Sequence, residues 1–431
     1  MRIVGKHRVF NGDRFLDKFQ GHEELLKGYC RLWGRRLNLA ISTIEIPGFK
    51  KWLSDDNSHS DAKDELMDGL FRCYDISSPH GHEDLKAACH DFRPYNPDPD
   101  DELPVECLAL KVRTEREDAF NLAYDRHALF HAERFSIYRG RSKKPIQKLK
   151  VREKSFQAEL AKEFQDHKSS ERVLVRSYQD GDYTNFIVYH EKRVKSTLIF
   201  KGSKNRPRVG PTVFRPAQQD FISYNASTGQ VEIESGHEAE EETVRKCFAK
   251  CFFSDADFFD ADGAAECLNL GELANASFHL DVPDDHSAAL VQLRFKLPQE
   301  GGPTFCISSK DVFRTLESNG LRRKLRADMI QSAVIKVSWP DDKRGKRIQL
   351  SGQNKIKFNR ATHADDIFRL LTNWELLISH EDEIEDETPR EVDGFATASP
   401  PRNKQSNTAI SRSRAVSKTR TAQNPKRPRP R

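Results

Sequence analysis

The stretch 172-RVLVRSYQDGDYTNFIVYHEKRVKSTLIF-200 decides the fold class of this chain. Three runs rich in β-branched and aromatic residues, RVLVRSY, NFIVYH and VKSTLIF, are separated by Asp180-Gly181 and by a charged turn at Glu191–Arg193. Asp-Gly suits a tight hairpin turn, because glycine takes positive φ at no steric cost. The spacing predicts an antiparallel meander. Further along, DFISYN and QVEIES flank Thr228-Gly229 as a second hairpin. A helix follows over about 238–253, with acids in its first turns where the helix dipole favours them.

Upstream, apolar residues recur at helical spacing through Phe15, Phe19, Leu25, Leu26, Tyr29 and Leu32. Residues 61–74 and 83–92 have the pattern of short amphipathic helices. Thr114, with Glu117 three residues on, has the form of a capping box opening a helix to about residue 134. ECLALKVR (106–113) reads as a buried strand, and the basic stretch 139–154 as a hinge before a helix over about 151–167. The expected fold class is α+β. It has a mostly helical N-terminal domain (1–140), a central antiparallel β-rich domain (141–300), a winged-helix-like C-terminal module (301–379) and a disordered tail (380–431).

The last module rests on element order. Residues 309–351 run helix, Asn319-Gly320 turn, helix, strand, basic loop, strand. This resembles winged helix-turn-helix modules in general, by order and charge and not by a residue motif. The resemblance implies a second helix entering the major groove and a wing touching the DNA backbone. The cations that would do so are Arg322, Arg323, Lys324 and Arg326 on that helix, and Lys343, Arg344, Lys346 and Arg347 in the hairpin.

Charge is segregated. Residues 381–400 hold eight acids against Arg390, and 401–431 hold ten Lys/Arg and no acid, Arg427, Arg429 and Arg431 among them. Taking +10 and −7 from the chain's +5 leaves +2 for residues 1–380. Beyond Ser379 there is too little apolar content to offset the entropy of ordering. A flexible arm of unopposed cations binds polyanions by releasing counterions. The acidic run can hold that arm, or the basic face at 322–347, in check. PKRPRPR has the composition of a nuclear import patch.

Catalytic signatures are sparse. Asp220 with Glu232 and Glu234 on the next strand supplies the carboxylates of a metal-dependent nuclease, but no Lys follows to orient water. Cys73, His80, His82 and Cys89 form a zinc-type ligand set in a spacing that matches no common zinc frame. His127 and His131 stand one helical turn apart without the Glu that a HExxH motif requires. There is no phosphate-binding glycine loop and no nucleophile elbow, so no cofactor is expected. No apolar run approaches the ~18 residues of a membrane span, and the scattered cysteines suit a reducing compartment. The expectation is a cytoplasmic protein (nuclear in a eukaryotic host) that binds nucleic acid, DNA ahead of RNA, without catalysis. The alternatives are a scaffold or accessory subunit with a protein partner, and a nuclease. No membrane association is expected.

Overall fold

The computed structural model describes residues 10–378, except 38, 42–43, 55–60, 93–94, 98–101, 167–170, 202–205, 207, 299–300, 343 and 361. Ten strands form one antiparallel sheet. They are β1 (Arg134–Arg139), β2 (Val173–Asp180), β3 (Tyr183–Glu191), β6 (Ala217–Asn225), β7 (Gln230–Glu234), β8 (Ser287–Lys296), β9 (Thr304–Ser308), β10 (Ile330–Ser338), β11 (Lys346–Ser351) and β12 (Lys355–Lys357). β4 (Lys195–Lys201) and β5 (Arg208–Phe214) pair with each other as a separate ribbon. The spatial order is β2-β3-β6-β7-β1-β12-β11-β10-β8-β9. The first strand in sequence is thus the middle of the sheet, bonded to β7 on one side and β12 on the other.

The register of β1 sorts the helices. Ser136 and Tyr138 stand opposite Ile233 and Val231, whereas Phe135 stands opposite Ile356. Successive side chains point to opposite faces of a strand, so two different cores meet at β1. On the Tyr138 face, α8 (Leu149–Asp166) and α9 (Glu238–Phe253) cover the β2-β3-β6-β7 half. There Phe156, Leu160, Phe248 and Phe252 pack on Phe186, Ile222 and Tyr224. On the Phe135 face, α10 (Val312–Ser318) and α11 (Ala364–Asn373) cover the β12-β11-β10-β8 half, where Leu371 and Trp374 join Ile335, Ile348, Leu350 and Leu293.

The N-terminal helices are α1 (Gly12–Leu16), α2 (Glu23–Arg31), α3 (Ile46–Ser54), α4 (Asp61–Ile76), α5 (Pro79–Asp91), α6 (Val105–Glu115) and α7 (Glu117–Phe130). They share a core of their own, with Phe19, Leu26, Leu70 and Phe120 fully buried. α7 docks on the second face of the β2-β3-β6 half through Leu122 and Leu129 against Tyr178, Ile187 and Phe221. A buried polar contact fixes it. Asp125 accepts from Arg176 Nη1 at 3.2 Å and from the Tyr189 hydroxyl at 2.8 Å. Burial raises the Asp125 pKa while Arg176 opposes that shift. One half of the sheet is therefore covered on both faces and the other half on one.

Local signals were met where local chemistry decides. Gly181 takes φ +56° in the β2–β3 turn, β6 and β7 flank Thr228-Gly229, and α9 runs over 238–253. Five expectations change. ECLALKVR is the helix α6, because Cys107, Leu108, Leu110 and Val112 are buried on all sides among other helices. The run RFSIYR, expected to end a helix and open a hinge, is β1. The third meander run leaves the sheet as β4, and β3 pairs along its length with β6 instead. The expected second helix of the winged module is two short 3-10 turns, Arg322–Lys324 and Ala327–Met329, with extended backbone at Leu325 and Arg326 between them. Its hairpin is no free wing, since β10 and β11 are both interior strands. The boundaries expected at 140 and 300 fall just after β1 and in the β8–β9 turn of one continuous sheet. The tail 380–431 lies outside the described residues.

Ile137 is 1% exposed on the shared strand. Ile137→Ala is expected to cost about 2–5 kcal/mol, as core truncations of this size do. In urea, tryptophan fluorescence and far-UV circular dichroism should shift together. A fluorescence midpoint left unchanged would mean that the two halves do not depend on β1.

Candidate functional site

Strands β8 to β12 alternate between two faces, with a bulge in β8 at Val291. Leu293, Ala333, Ile335, Ile348, Leu350 and Ile356 are buried beneath α10 and α11. Their neighbours along each strand point the other way, onto the face that no described helix covers. The register places seven cations there: Arg294 and Lys296 on β8, Lys336 on β10, Arg347 on β11, Lys355 and Lys357 on β12, and Arg134 on β1. Gln292, Gln349, Ser308, Ser332 and Ser351 lie between them, and none of these strands places an Asp or Glu on that face. Lys336 and Lys355 are half-buried and the other five cations are exposed. Five strands at ~4.8 Å spacing make a platform about 20–24 Å across.

The electrostatics of this platform run against stability. Lys336 stands directly opposite Arg347, and Arg134 directly opposite Lys357. Like charges facing each other across a ladder are destabilising. Lys355 is paired with Glu238 of α9 at 3.3 Å. Among the described residues, Arg134, Arg294, Lys296, Lys336, Arg347 and Lys357 have no acidic partner within ion-pair distance. Strands β8 to β12 also place no Phe, Tyr or Trp on this face. It offers charge and hydrogen-bond donors to a ligand and no ring for a base to stack on.

The cations expected from sequence divide by burial. Arg322 is 4% exposed, its guanidinium lies 3.6 Å from the Phe313 ring centre, and its Nη2 donates to the carbonyls of Asn275 and Phe278 at 2.8 and 3.3 Å. Burial lowers its pKa. It is a structural clamp. Lys346 is half-buried on the covered side and donates to the Asn359 carbonyl at 3.1 Å and to that of Thr362, with burial again lowering its pKa. Arg326 forms a bidentate pair with Asp328 at 3.0 and 2.9 Å. Arg323, Lys324 and Arg344 are exposed, and Arg347 joins the platform. Lys343, Arg427, Arg429 and Arg431 lie outside the described residues.

The carboxylates proposed for nuclease chemistry are not brought together. Glu234 stands opposite Phe221, so the adjacent Asp220 points to the other face. There Asp220, 0% exposed, accepts from Gln218 at 2.6 Å and contacts His190 Nε2 at 2.9 Å. Glu232 is held by Arg360, which also stacks on Phe135. The zinc-type set is likewise dispersed. Cys73 and Cys89 are buried in the helical core, and burial pushes their thiols up to about 12 and about 11, away from the thiolate that zinc needs. His80 stacks on Phe130, while His82 lies in the first turn of α5. His127 Nε2 is 3.1 Å from His131 Nε2, a contact in which one ring donates and the other accepts. Among the described residues, no group of three or more His, Cys, Asp or Glu is arranged to hold a metal ion. No described helix is long and apolar enough to cross a membrane.

Six of the platform cations, all but Arg347, were missed from sequence. The signal was present in part: LRFK and KIKF place cations at every second position, in the phase opposite to the apolar residues, and VIKVS places Lys336 in that phase. Compared with protein-family models and with curated protein sequences, the chain matches none.

Two arginines close in sequence should behave oppositely. Arg322→Ala is expected to cost about 2–4 kcal/mol through two abandoned carbonyls and a lost cation–π contact. Arg347→Ala should stay within about 0.5 kcal/mol of wild type. Urea unfolding of both variants decides the assignment, and equal losses would sink it.

Proposed function

We propose that this protein binds nucleic acid without catalysis, using the open face of β8–β12 with Arg134, and that duplex DNA is its preferred form. The observation that carries the reading is the pair of directly opposed cations, Lys336 with Arg347 and Arg134 with Lys357, on a face where strands β8–β12 place no acid. A polyanion turns that repulsion into attraction, and phosphates repeat along a duplex closely enough for several to meet one platform. The lack of stacking rings favours a phosphate backbone over unstacked single-stranded bases. The winged-helix reading of 309–351 enters in reduced form. Arg347 acts from the platform, Arg323, Lys324 and Arg344 supplement it from exposed turns, and Arg322 and Lys346 serve the fold. The basic residues 401–431 add a sequence-independent electrostatic arm. The cytoplasmic or nuclear setting follows from this reading and from the import-like PKRPRPR.

A role as an accessory subunit has one observation in its favour. The β4–β5 ribbon exposes Leu198, Val209 and Val213 at 71, 58 and 65%. A partner protein would find its apolar contact there.

The test is anisotropy of labelled duplex DNA, single-stranded DNA and RNA across a salt series. Lys336→Ala/Arg347→Ala/Lys357→Ala in the full chain removes three phosphate contacts. The slope of log K against log salt on duplex DNA should become shallower by about 2.7. Deletion of residues 401–431 should weaken all three ligands together. A triple variant with unchanged slope and affinity would move the binding to the tail or the ribbon.

A further inference from the structure

The two edges of the sheet are built differently. β2 is guarded: α8 packs along it, Gln157 accepts from the Val175 N–H at 3.0 Å, and Lys150 donates to the Ser177 carbonyl at 3.2 Å. Among the described residues, β9, at the opposite edge, has no such guard. Its ladder with β8 runs without a bulge from Thr304 opposite Lys296 to Ser308 opposite Gln292. The flanking bonds, Leu297 N–H to the Pro303 carbonyl and Ser309 N–H to the Val291 carbonyl, fix the phase. Residues 305 and 307 therefore bond inward to β8, and the N–H and C=O groups of Thr304, Cys306 and Ser308 point outward. Among the described residues, none of these outward groups has a hydrogen-bond partner. The strand TFCIS carries no charge and no proline, the usual devices against edge pairing. Phe305 is 45% exposed.

We propose that β9 pairs with β9 of a second copy of this chain, antiparallel and centred on Cys306. The strand is self-complementary in that register. Cys306 faces its own mate, Thr304 faces Ser308, and Phe305 faces Ile307, so each outward backbone group finds a partner and the exposed ring gains an aliphatic cover. Nothing charged opposes its like within the pairing. The nearest cation, Arg294 on β8, is three strand spacings from its symmetry mate, about 14 Å. That exceeds the ~8 Å screening length at physiological salt. Directly opposed residues share a face, so the two basic platforms lie side by side on one surface. A five-residue strand pair buries less than the ~1,200 Å² of standard complexes, so association belongs in the micromolar range.

The test uses the full chain without nucleic acid, so it stands apart from the functional reading. Sedimentation velocity over a concentration series should show monomer and dimer in exchange. Cys306→Lys puts two ammonium groups opposite each other and should weaken association at least tenfold, as should Cys306→Glu alone. An equimolar mixture of the two variants should associate again, which a variant that merely misfolds cannot do. A wild type that stays monomeric throughout, a Cys306→Lys chain that associates like wild type, or a mixture that fails to recover would each overturn the proposal.

Discussion

The architecture depends on the fact that a strand has two faces and β1 gives its apolar side chains to both. Phe135 and Ile137 belong to the core under α11, and Tyr138 to the core under α9. The hydrophobic layer changes sides in the middle of the sheet. α7 then covers the remaining face of the first half, anchored by Asp125. No described helix is left for the remaining face of the second half, so that face must be polar, as antiparallel sheets with one solvated side are. The open platform follows from how the apolar layers are distributed.

What the platform is made of is a separate matter. Solvated sheet faces normally mix signs, and opposed unlike charges would add a little stability. This one holds cations opposite cations. The penalty, about 0.2–1 kcal/mol per pair, is small enough for a domain with a net stability of ~5–15 kcal/mol. The arginines used for the fold lie elsewhere and look different: Arg322 and Arg360 are stacked on phenylalanine rings and bonded to carbonyls or a carboxylate. Burial separates cations that hold this molecule together from those it can spend on a ligand.

Much of the local structure was legible in the sequence. Asp180-Gly181 and Thr228-Gly229 specified their hairpins, and the acids of 238–242 announced a helix start. Pairing partners were not legible, because which strand lies beside β3 is decided by β6, nearly thirty residues beyond, through burial of Phe186, Val188 and Ile222. ECLALKVR shows the limit of periodicity, since a helix buried all round and a buried strand share one apolar pattern. The basic clusters drew attention to turns and loops, where charge is dense in sequence. The denser cluster in space is assembled from one or two cations on each of five strands, and it becomes visible only once alternation is read for sign as well as for hydrophobicity.

The central position of β1 also has a consequence for how the chain is made. Ser136 pairs with Ile233 and with Lys355. During synthesis β1 emerges before any other strand, and its two neighbours follow much later. At ~5–20 residues per second, on the order of ten to forty seconds separate β1 from β12. The half built on β7 can close during that interval, with Phe135 and Ile137 left bare at its growing edge. The nascent chain thus holds a finished half-sheet with one adhesive strand, and its safety from neighbouring nascent chains depends on how quickly residues 330–371 arrive to cover it.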